Sequence, residues 1–129
     1  MTLLDRSDSI GQVSRFHCMK SQKGTRMTTT KLSNDVLSIA IQDFGAELHS
    51  IQKDSVEYLW QGDPDFWARQ APVLFPIVGK LKNGSYTYDN ETFKLGGHGF
   101  ARDQVFELLE SEDDEAVFEL KTNKETREV

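Results

Sequence analysis

The sequence has only one cysteine, three prolines and three histidines in 129 residues, and it lacks a long hydrophobic run. A single cysteine excludes an intramolecular disulfide framework and fits a reducing compartment. The cysteine and the histidines show no metal-ligand spacing, so we expect neither a metal nor a cofactor. No apolar run approaches the roughly 18 residues of a membrane helix, and the first residues lack the features of a secretion signal. We therefore expect a cytoplasmic protein with no membrane partner.

Basic residues are also in short supply. The chain has 15 lysines and arginines against 21 acidic residues, which gives a formal net charge of −6. This balance argues against a nucleic-acid partner, because binding to phosphates needs a basic footprint. The charge is unevenly distributed, since residues 1–30 carry a net +3 and residues 31–129 carry −9.

Residues 1–30 differ from the rest of the chain in pattern as well as in charge. Serine, threonine, glutamine and glycine interrupt every apolar cluster there, so we expect a disordered or non-native N-terminal arm. Two interpretations of this arm stay open. One is a tail for targeting or RNA contact. The other is a leader without a role, with Met27 as the natural start.

From Lys31 onward the pattern is typical of β-structure. In the segment VLSIAI, the alternate residues Leu37, Ile39 and Ile41 share one face, as in a half-buried strand. Similar segments follow at spacings of roughly ten residues, and almost no helix is indicated. The predicted strands cover residues 36–41, 46–51, 56–60, 85–88, 91–95, 104–109 and 115–121. About seven short strands predict an all-β sandwich or barrel.

The apolar and aromatic residues before the first hairpin suggest a core. Residues 71–79 are apolar on both faces and so are predicted to be buried, but two prolines make them a poor central strand. We expect an extended, irregular core segment. Trp60 and Trp67 are either core side chains, which is the usual place for large aromatics, or platforms for a sugar ring.

Three residues are candidates for binding chemistry. His98 lies between two glycines, which allow tight bends and close approach to a ligand. Its imidazole can exchange a proton with a bound hydroxyl near neutral pH, or it can bond to a neighbouring carbonyl. Lys80 and Arg102 lie in an apolar, aromatic stretch, where a half-buried cation needs a partner. That partner is either a ligand oxygen or a carboxylate such as Asp103.

Several other kinds of site are missing from the sequence. The glycines form neither a Walker loop nor a dinucleotide-binding loop, and there is no Gly-x-Ser-x-Gly nucleophile elbow. The acidic run at residues 110–115 lacks the central glycine and the spaced ligands of a calcium loop, so it is predicted to be a solvated turn.

Two motifs carry a resemblance to a known family. Residues 72–80 read Pro-Val-Leu-Phe-Pro-Ile-Val-Gly-Lys, and residues 98–102 read His-Gly-Phe-Ala-Arg. Together with the hairpin between them and the tryptophan segment before them, they make residues 31–121 resemble the N-terminal part of the aldose 1-epimerase, or galactose mutarotase, superfamily. The resemblance implies that residues 31–129 form the N-terminal portion of an antiparallel β-sandwich.

The resemblance also implies an activity, which is the interconversion of the α and β anomers of a hexose. An acid protonates the ring oxygen while a base removes the proton of the anomeric hydroxyl, so the ring opens and recloses. The resemblance places Lys80, His98 and Arg102 at the sugar, with a hexose of the galactose or glucose type as partner. It places the catalytic histidine and glutamate beyond Val129, so no catalytic residue is assigned within this chain.

The sequence departs from the family pattern at position 80, where lysine replaces the usual arginine and loses its planar, two-pronged edge. Two alternatives stay open. In a hexose-6-phosphate 1-epimerase, Arg102 and Lys80 hold the phosphate; in a non-catalytic carbohydrate-binding β-module, sugar binds without turnover. A portion of a sandwich also leaves sheet edges open, so self-association is expected.

Overall fold

The computed structural model describes residues 27–127, and their regular structure is antiparallel β-sheet. The first four strands form one sheet in sequence order, each pairing with the next through a short turn. A β-bulge interrupts the ladder between the second and third strands, at Ala40 and Ile41. These strands are β1 (Thr29–Ser33), β2 (Ser38–Gln42), β3 (Glu47–Lys53) and β4 (Val56–Glu57).

Strand β1 was not predicted from the sequence. Its residues TTKLS contain one large apolar side chain, Leu32, which is buried. A single apolar residue produces no alternating pattern, so the strand is defined by its ladder with β2. Residues 1–26 lie outside the described residues, and the N-terminal arm therefore stays a prediction.

Two hairpins complete the regular structure. The first was predicted with its two-residue turn at Asp89 and Asn90, and both residues have positive φ, of 49° and 64°, as a type I′ turn requires. The second hairpin was also predicted, and its strands start one to three residues later than expected. The strands are β5 (Ser85–Tyr88), β6 (Glu91–Lys94), β7 (Glu107–Ser111) and β8 (Ala116–Glu119). Short 3₁₀ turns lie at Lys82–Gly84, Ala101–Asp103 and Glu125–Arg127.

The turn between β2 and β3 is joined to the segment that precedes β7. Phe44 and Val105 form an antiparallel bridge. The amide of Gly45 donates to the Gln104 carbonyl at 2.7 Å, and the amide of Phe106 donates to the Asp43 carbonyl at 2.8 Å. A Cβ at Gly45 would lie 2.9 Å from the Arg102 carbonyl oxygen. This close approach fixes residues 101–106 against the four-stranded sheet.

The apolar segment at residues 71–79 was predicted to be buried, and this prediction is wrong. Phe75 is 55% exposed and Val78 is 78% exposed. Trp60 and Trp67, for which a place in the core was one of two alternatives, are 43% and 51% exposed. The prediction failed because burial depends on what covers a segment, and few described side chains cover these residues.

Candidate functional site

The two sequence motifs lie against each other in the structure. Phe75 and Gly99 form a parallel bridge, and the Phe75 carbonyl accepts hydrogen bonds from the amides of Phe100, at 2.9 Å, and Ala101, at 3.2 Å. Gly99 is buried with φ of +73°, and a Cβ there would lie 2.0 Å from the Phe75 oxygen. Only glycine allows this approach, so the first motif holds the loop that carries His98.

His98 is fixed by a reciprocal pair of hydrogen bonds with Gly79. The His98 amide donates to the Gly79 carbonyl at 2.7 Å, and the Gly79 amide donates to His98 Nδ1 at 3.0 Å. Because Nδ1 accepts, the proton of the neutral imidazole resides on Nε2. No side-chain or backbone group between residues 27 and 127 bonds to Nε2. The arrangement holds the ring and leaves one N–H for a ligand oxygen.

The sequence left open whether His98 binds a ligand or bonds to a neighbouring carbonyl. The structure shows a third arrangement, in which the ring accepts from a backbone amide. The backbone of His98 has φ of +66°, which is uncommon for a residue with a side chain. Such a conformation persists only where its surroundings hold it.

Lys80 lies beside the same loop. A Cβ at Gly97 would lie 3.0 Å from Cγ of Lys80 and 3.3 Å from its Cε, so the aliphatic stem of Lys80 runs along the glycine. Lys80 is exposed, and within the described part of the chain its ammonium group forms no ion pair. The residue therefore presents a free positive charge next to His98.

Arg102 is turned toward the backbone of the loop. Its Nη2 donates to the Gly97 carbonyl at 2.9 Å, and its Nε lies 3.6 Å from Asp103 Oδ2. Of the two partners that the sequence left open, a ligand or a carboxylate, the structure shows Asp103 together with a backbone carbonyl. Lys80, His98 and Arg102 thus converge on one loop, residues 95–102.

Two supporting residues were missed by sequence reasoning. Arg69 forms an ion pair with Asp103 and donates to the Arg102 carbonyl at 3.3 Å. Glu47 is 6% exposed, and its carboxylate accepts from the amides of Gln70, at 2.8 Å, and Ala71, at 2.9 Å. No local signal indicated the burial of Glu47, because the strand that it begins, ELHSIQK, is mostly polar and the two amides lie more than twenty residues away.

Glu57 fixes the turn between β3 and β4. Its carboxylate accepts from the Ser50 hydroxyl at 2.5 Å, the Ile51 amide at 2.8 Å and the Leu59 amide at 2.9 Å. These bonds, that from Ser50 foremost, lower the pKa of Glu57 from its ordinary value of 4.5 to about 2.

None of the three candidate residues lines the largely apolar cavity of about 460 Å³, although Phe100 and Ala101 of the same loop do. Its walls include Val73, Phe75, Phe100, Phe106 and Leu120. Lys121, Thr122 and Thr126 add polar groups to the lining, but none of the three candidate residues reaches the cavity. The cavity is therefore not assigned to the sugar site.

Neither a metal site nor a membrane-spanning helix is found in the described range. Among residues 27–127, no three His, Cys, Asp or Glu side chains cluster as metal ligands. No helix formed by these residues has the length and apolar content needed to cross a bilayer.

Comparison with solved structures gives the class of the fold. The chain is similar to the galactose mutarotase related enzyme from Lactobacillus acidophilus, with a TM-score of 0.77 and 44% identity over 79% of this chain and 35% of that one. It is also similar to a galactose mutarotase-like protein from Lactobacillus casei ATCC 334, with a TM-score of 0.75 and 36% identity over 78% and 35%. The described residues thus form a portion of the galactose mutarotase-like fold.

Comparison of sequences gives the family. The model of the family described as aldose 1-epimerase matches residues 28–128, and the chain belongs to this family. Protein LacX, plasmid, from Lactococcus lactis subsp. lactis is 40% identical over 103 residues, which cover 75% of this chain and 34% of the relative. The chain therefore spans about a third of the length of the curated relatives it matches.

Proposed function

We propose that this protein acts on a hexose as an aldose 1-epimerase, and that Lys80, His98 and Arg102 form its share of the sugar site, with Arg102 supporting the loop through the Gly97 carbonyl. The observation that carries the proposal is the Gly79–His98 pair, which leaves the Nε2 proton of His98 without a partner among residues 27–127. An imidazole held in this way donates to a sugar hydroxyl in a fixed direction.

The reaction needs an acid and a base at the anomeric centre. Among the described residues, the candidate loop brings only one such group, His98, close to a free cation. We therefore propose that the catalytic histidine and glutamate belong to polypeptide corresponding to the two-thirds of the relatives that this chain does not cover. His98 and Lys80 then bind the sugar and leave the proton transfers to that pair.

A free hexose suits the charges better than a hexose 6-phosphate. A phosphate is bound best by several free cations with two-pronged contacts. Arg102 is committed to the Gly97 carbonyl and lies near Asp103, and Arg69 is paired with Asp103. Lys80 remains as the single cation beside His98 with no ion pair in residues 27–127, which matches a neutral ligand.

Binding is tested by titrating the 129-residue chain with galactose, glucose and galactose 6-phosphate while its amide signals are followed by NMR. We expect galactose or glucose to shift the signals of residues 79–80 and 97–99, and His98→Ala to abolish the shifts. His49→Ala is the matched control, because His49 lies in β3 outside this loop. Stronger binding of galactose 6-phosphate than of the free sugars would instead support the hexose-6-phosphate reaction.

Turnover is tested separately by polarimetry of freshly dissolved α-galactose. The chain alone is expected to leave the spontaneous rate of mutarotation unchanged. A rate increase that His98→Ala removes would contradict the placement of the catalytic pair elsewhere. Binding without turnover, both alone and after addition of the corresponding remainder of a relative, would instead support the non-catalytic carbohydrate-binding module.

We further propose that the protein works in the cytoplasm and that the chain self-associates. The single cysteine supports the first proposal. The second is supported by exposed apolar side chains such as Phe75 and Val78, and by the two-stranded sheets β5–β6 and β7–β8, whose outer edges face no further strand in the described part.

A further inference from the structure

We propose that Arg102 is a positioning residue, which fixes the peptide between Gly97 and His98 and so aims the Nε2–H of His98. Asp103 and Arg69 hold the guanidinium in place for this task. The inference deepens the proposed sugar site and rests on it for its function. The contacts that hold this peptide, namely Arg102 on the Gly97 carbonyl and the Gly79 carbonyl on the His98 amide, are called the clamp. The clamp is tested without sugar.

The peptide unit between Gly97 and His98 is held at both of its polar atoms. Its oxygen, on Gly97, accepts from Arg102 Nη2 at 2.9 Å. Its N–H, on His98, donates to the Gly79 carbonyl at 2.7 Å. A peptide unit is planar, so two anchors at opposite edges prevent the plane from rotating. The φ of +66° at His98 is thereby maintained, and with it the contact of Nδ1 with the Gly79 amide.

Arg102 is itself held by Asp103 and Arg69. Its Nε lies 3.6 Å from Asp103 Oδ2, and the other oxygen of that carboxylate is paired with Arg69. Arg69 also donates to the Arg102 carbonyl at 3.3 Å. Two cations therefore share one carboxylate, and the side chains of Arg69 and Arg102 are only 31% and 24% exposed. The ion pair with Asp103 and the hydrogen bond to Gly97 together restrict the movement of the guanidinium.

The geometry requires the planar fork of arginine. Nη2 donates to the Gly97 carbonyl, while Nε lies 3.6 Å from Asp103 Oδ2 in a long ion pair and is buried with no hydrogen-bond partner among residues 27–127. Lysine has one nitrogen and cannot maintain both contacts. Lys80, whose aliphatic stem lies beside Gly97, has no comparable partner in residues 27–127, and it remains the cation available to the sugar.

The test measures the imidazole of His98 and the backbone beside it in the full chain. Long-range ¹H–¹⁵N correlation at neutral pH is expected to show the Nε2–H tautomer in the parent protein. Arg102→Met is expected to mix the two tautomers. It should also speed hydrogen exchange at the His98 and Gly79 amides about tenfold, the loss expected when a charged hydrogen bond is removed. Arg102→Lys should produce most of the same change, and Asp103→Asn a smaller one.

Lys82→Met is the matched control, because Lys82 is an exposed cation on a neighbouring 3₁₀ turn and its side chain forms no hydrogen bond or ion pair among residues 27–127. It should leave tautomer and exchange unchanged. If Arg102→Met does not fold, as judged by far-ultraviolet circular dichroism, the milder Arg102→Lys carries the test with the same expectations.

The outcomes separate the clamp from the sugar site. An unchanged tautomer and unchanged exchange in the Arg102 variants overturn the positioning role. Loss of galactose-induced shifts with the tautomer intact also overturns it, since Arg102 then contacts the sugar directly. A disturbed tautomer supports the clamp even where the parent chain binds no sugar, in which case the proposed function fails and the clamp stands as a structural device.

Discussion

At the scale of single residues, the site depends on glycines and on hydrogen-bonded carboxylates. Gly99 and Gly84 both have positive φ, but their surroundings differ. A Cβ at Gly99 would lie 2.0 Å from the Phe75 oxygen and 2.4 Å from its carbonyl carbon, whereas nothing lies within 4 Å of a Cβ at Gly84. Alanine substitutions at these two glycines therefore separate the energetic cost of backbone strain from that of steric overlap.

Gly99→Ala is predicted to lower the free energy of unfolding by about 2–5 kcal/mol, from strain at positive φ and from overpacking. Gly84→Ala carries the strain alone, so it should cost about 1 kcal/mol. Urea denaturation measures both. Equal effects of the two substitutions would show that the close approach of Gly99 to Phe75 contributes nothing to stability.

Glu57 gives a prediction about pH. Its pKa in the folded chain is about 2, below its ordinary value of 4.5. A carboxylate with a depressed pKa contributes stability that is complete above the unfolded pKa and is lost as the pH falls through the folded pKa. Glu57→Gln should therefore lower the melting temperature at pH 7, and the difference from the parent chain should shrink between pH 4.5 and pH 2.

Glu91→Gln is the control for the pH series, because the Glu91 side chain is exposed and forms no hydrogen bond or ion pair within residues 27–127. It should follow the parent chain at every pH. If the difference in melting temperature between Glu57→Gln and the parent chain stays constant from pH 7 to pH 2, the charge of the carboxylate does not contribute and only its shape matters.

At the scale of elements, the turn of the β5–β6 hairpin is the most specific local feature. Asp89 and Asn90 both occupy the left-handed region, with φ of 49° and 64°. Asparagine tolerates this conformation, glycine prefers it and β-branched residues avoid it. The turn should therefore respond to substitutions at position 90 in opposite directions.

Asn90→Val is predicted to destabilise the hairpin by about 1–2 kcal/mol, and Asn90→Gly to stabilise it slightly. Asp114 provides the control, because it lies in the β7–β8 turn and is not among the residues with positive φ. Amide exchange of Thr87 and Thr92 reports on the hairpin. Stabilisation by Asp114→Gly equal to that by Asn90→Gly would mean that φ at position 90 is not the cause.

At the scale of the whole molecule, few apolar side chains are enclosed. Among the described hydrophobic residues, Leu32, Leu95 and Ala101 are buried, whereas large side chains such as Phe66 and Phe75 are exposed. Burial of apolar surface is the main source of stability. The isolated chain is therefore expected to be marginally stable and to associate through its apolar surface, with open strand edges adding hydrogen bonds.

Sedimentation velocity should show association that increases with concentration, and the chain should bind the dye ANS. Phe75→Ser is predicted to weaken both, because Phe75 borders the apolar cavity. Phe66→Ser, the same substitution outside that cavity, should weaken them less. A monodisperse monomer with a sharp thermal transition would contradict this prediction.

The sequence by itself determined the all-β class, both hairpins and the residues of the two motifs. These features were predictable because alternation, turn residues and motif spacing are local properties of the chain. Strand β1 was missed since TTKLS carries one apolar residue, and its partner β2 defines it. The burial of residues 71–79 was predicted wrongly, because burial depends on what covers a segment and not on the segment alone.

Only the tertiary structure decided how the candidate site is built. Lys80 and His98 lie 18 positions apart in the sequence, and nothing local indicates that Gly79 holds the His98 ring. The roles of Arg69 and Glu47 also depend on partners more than twenty residues away. Hydrogen bonds between distant segments exist only once the backbone has brought the segments together, and for this reason their partners could not be identified from sequence patterns.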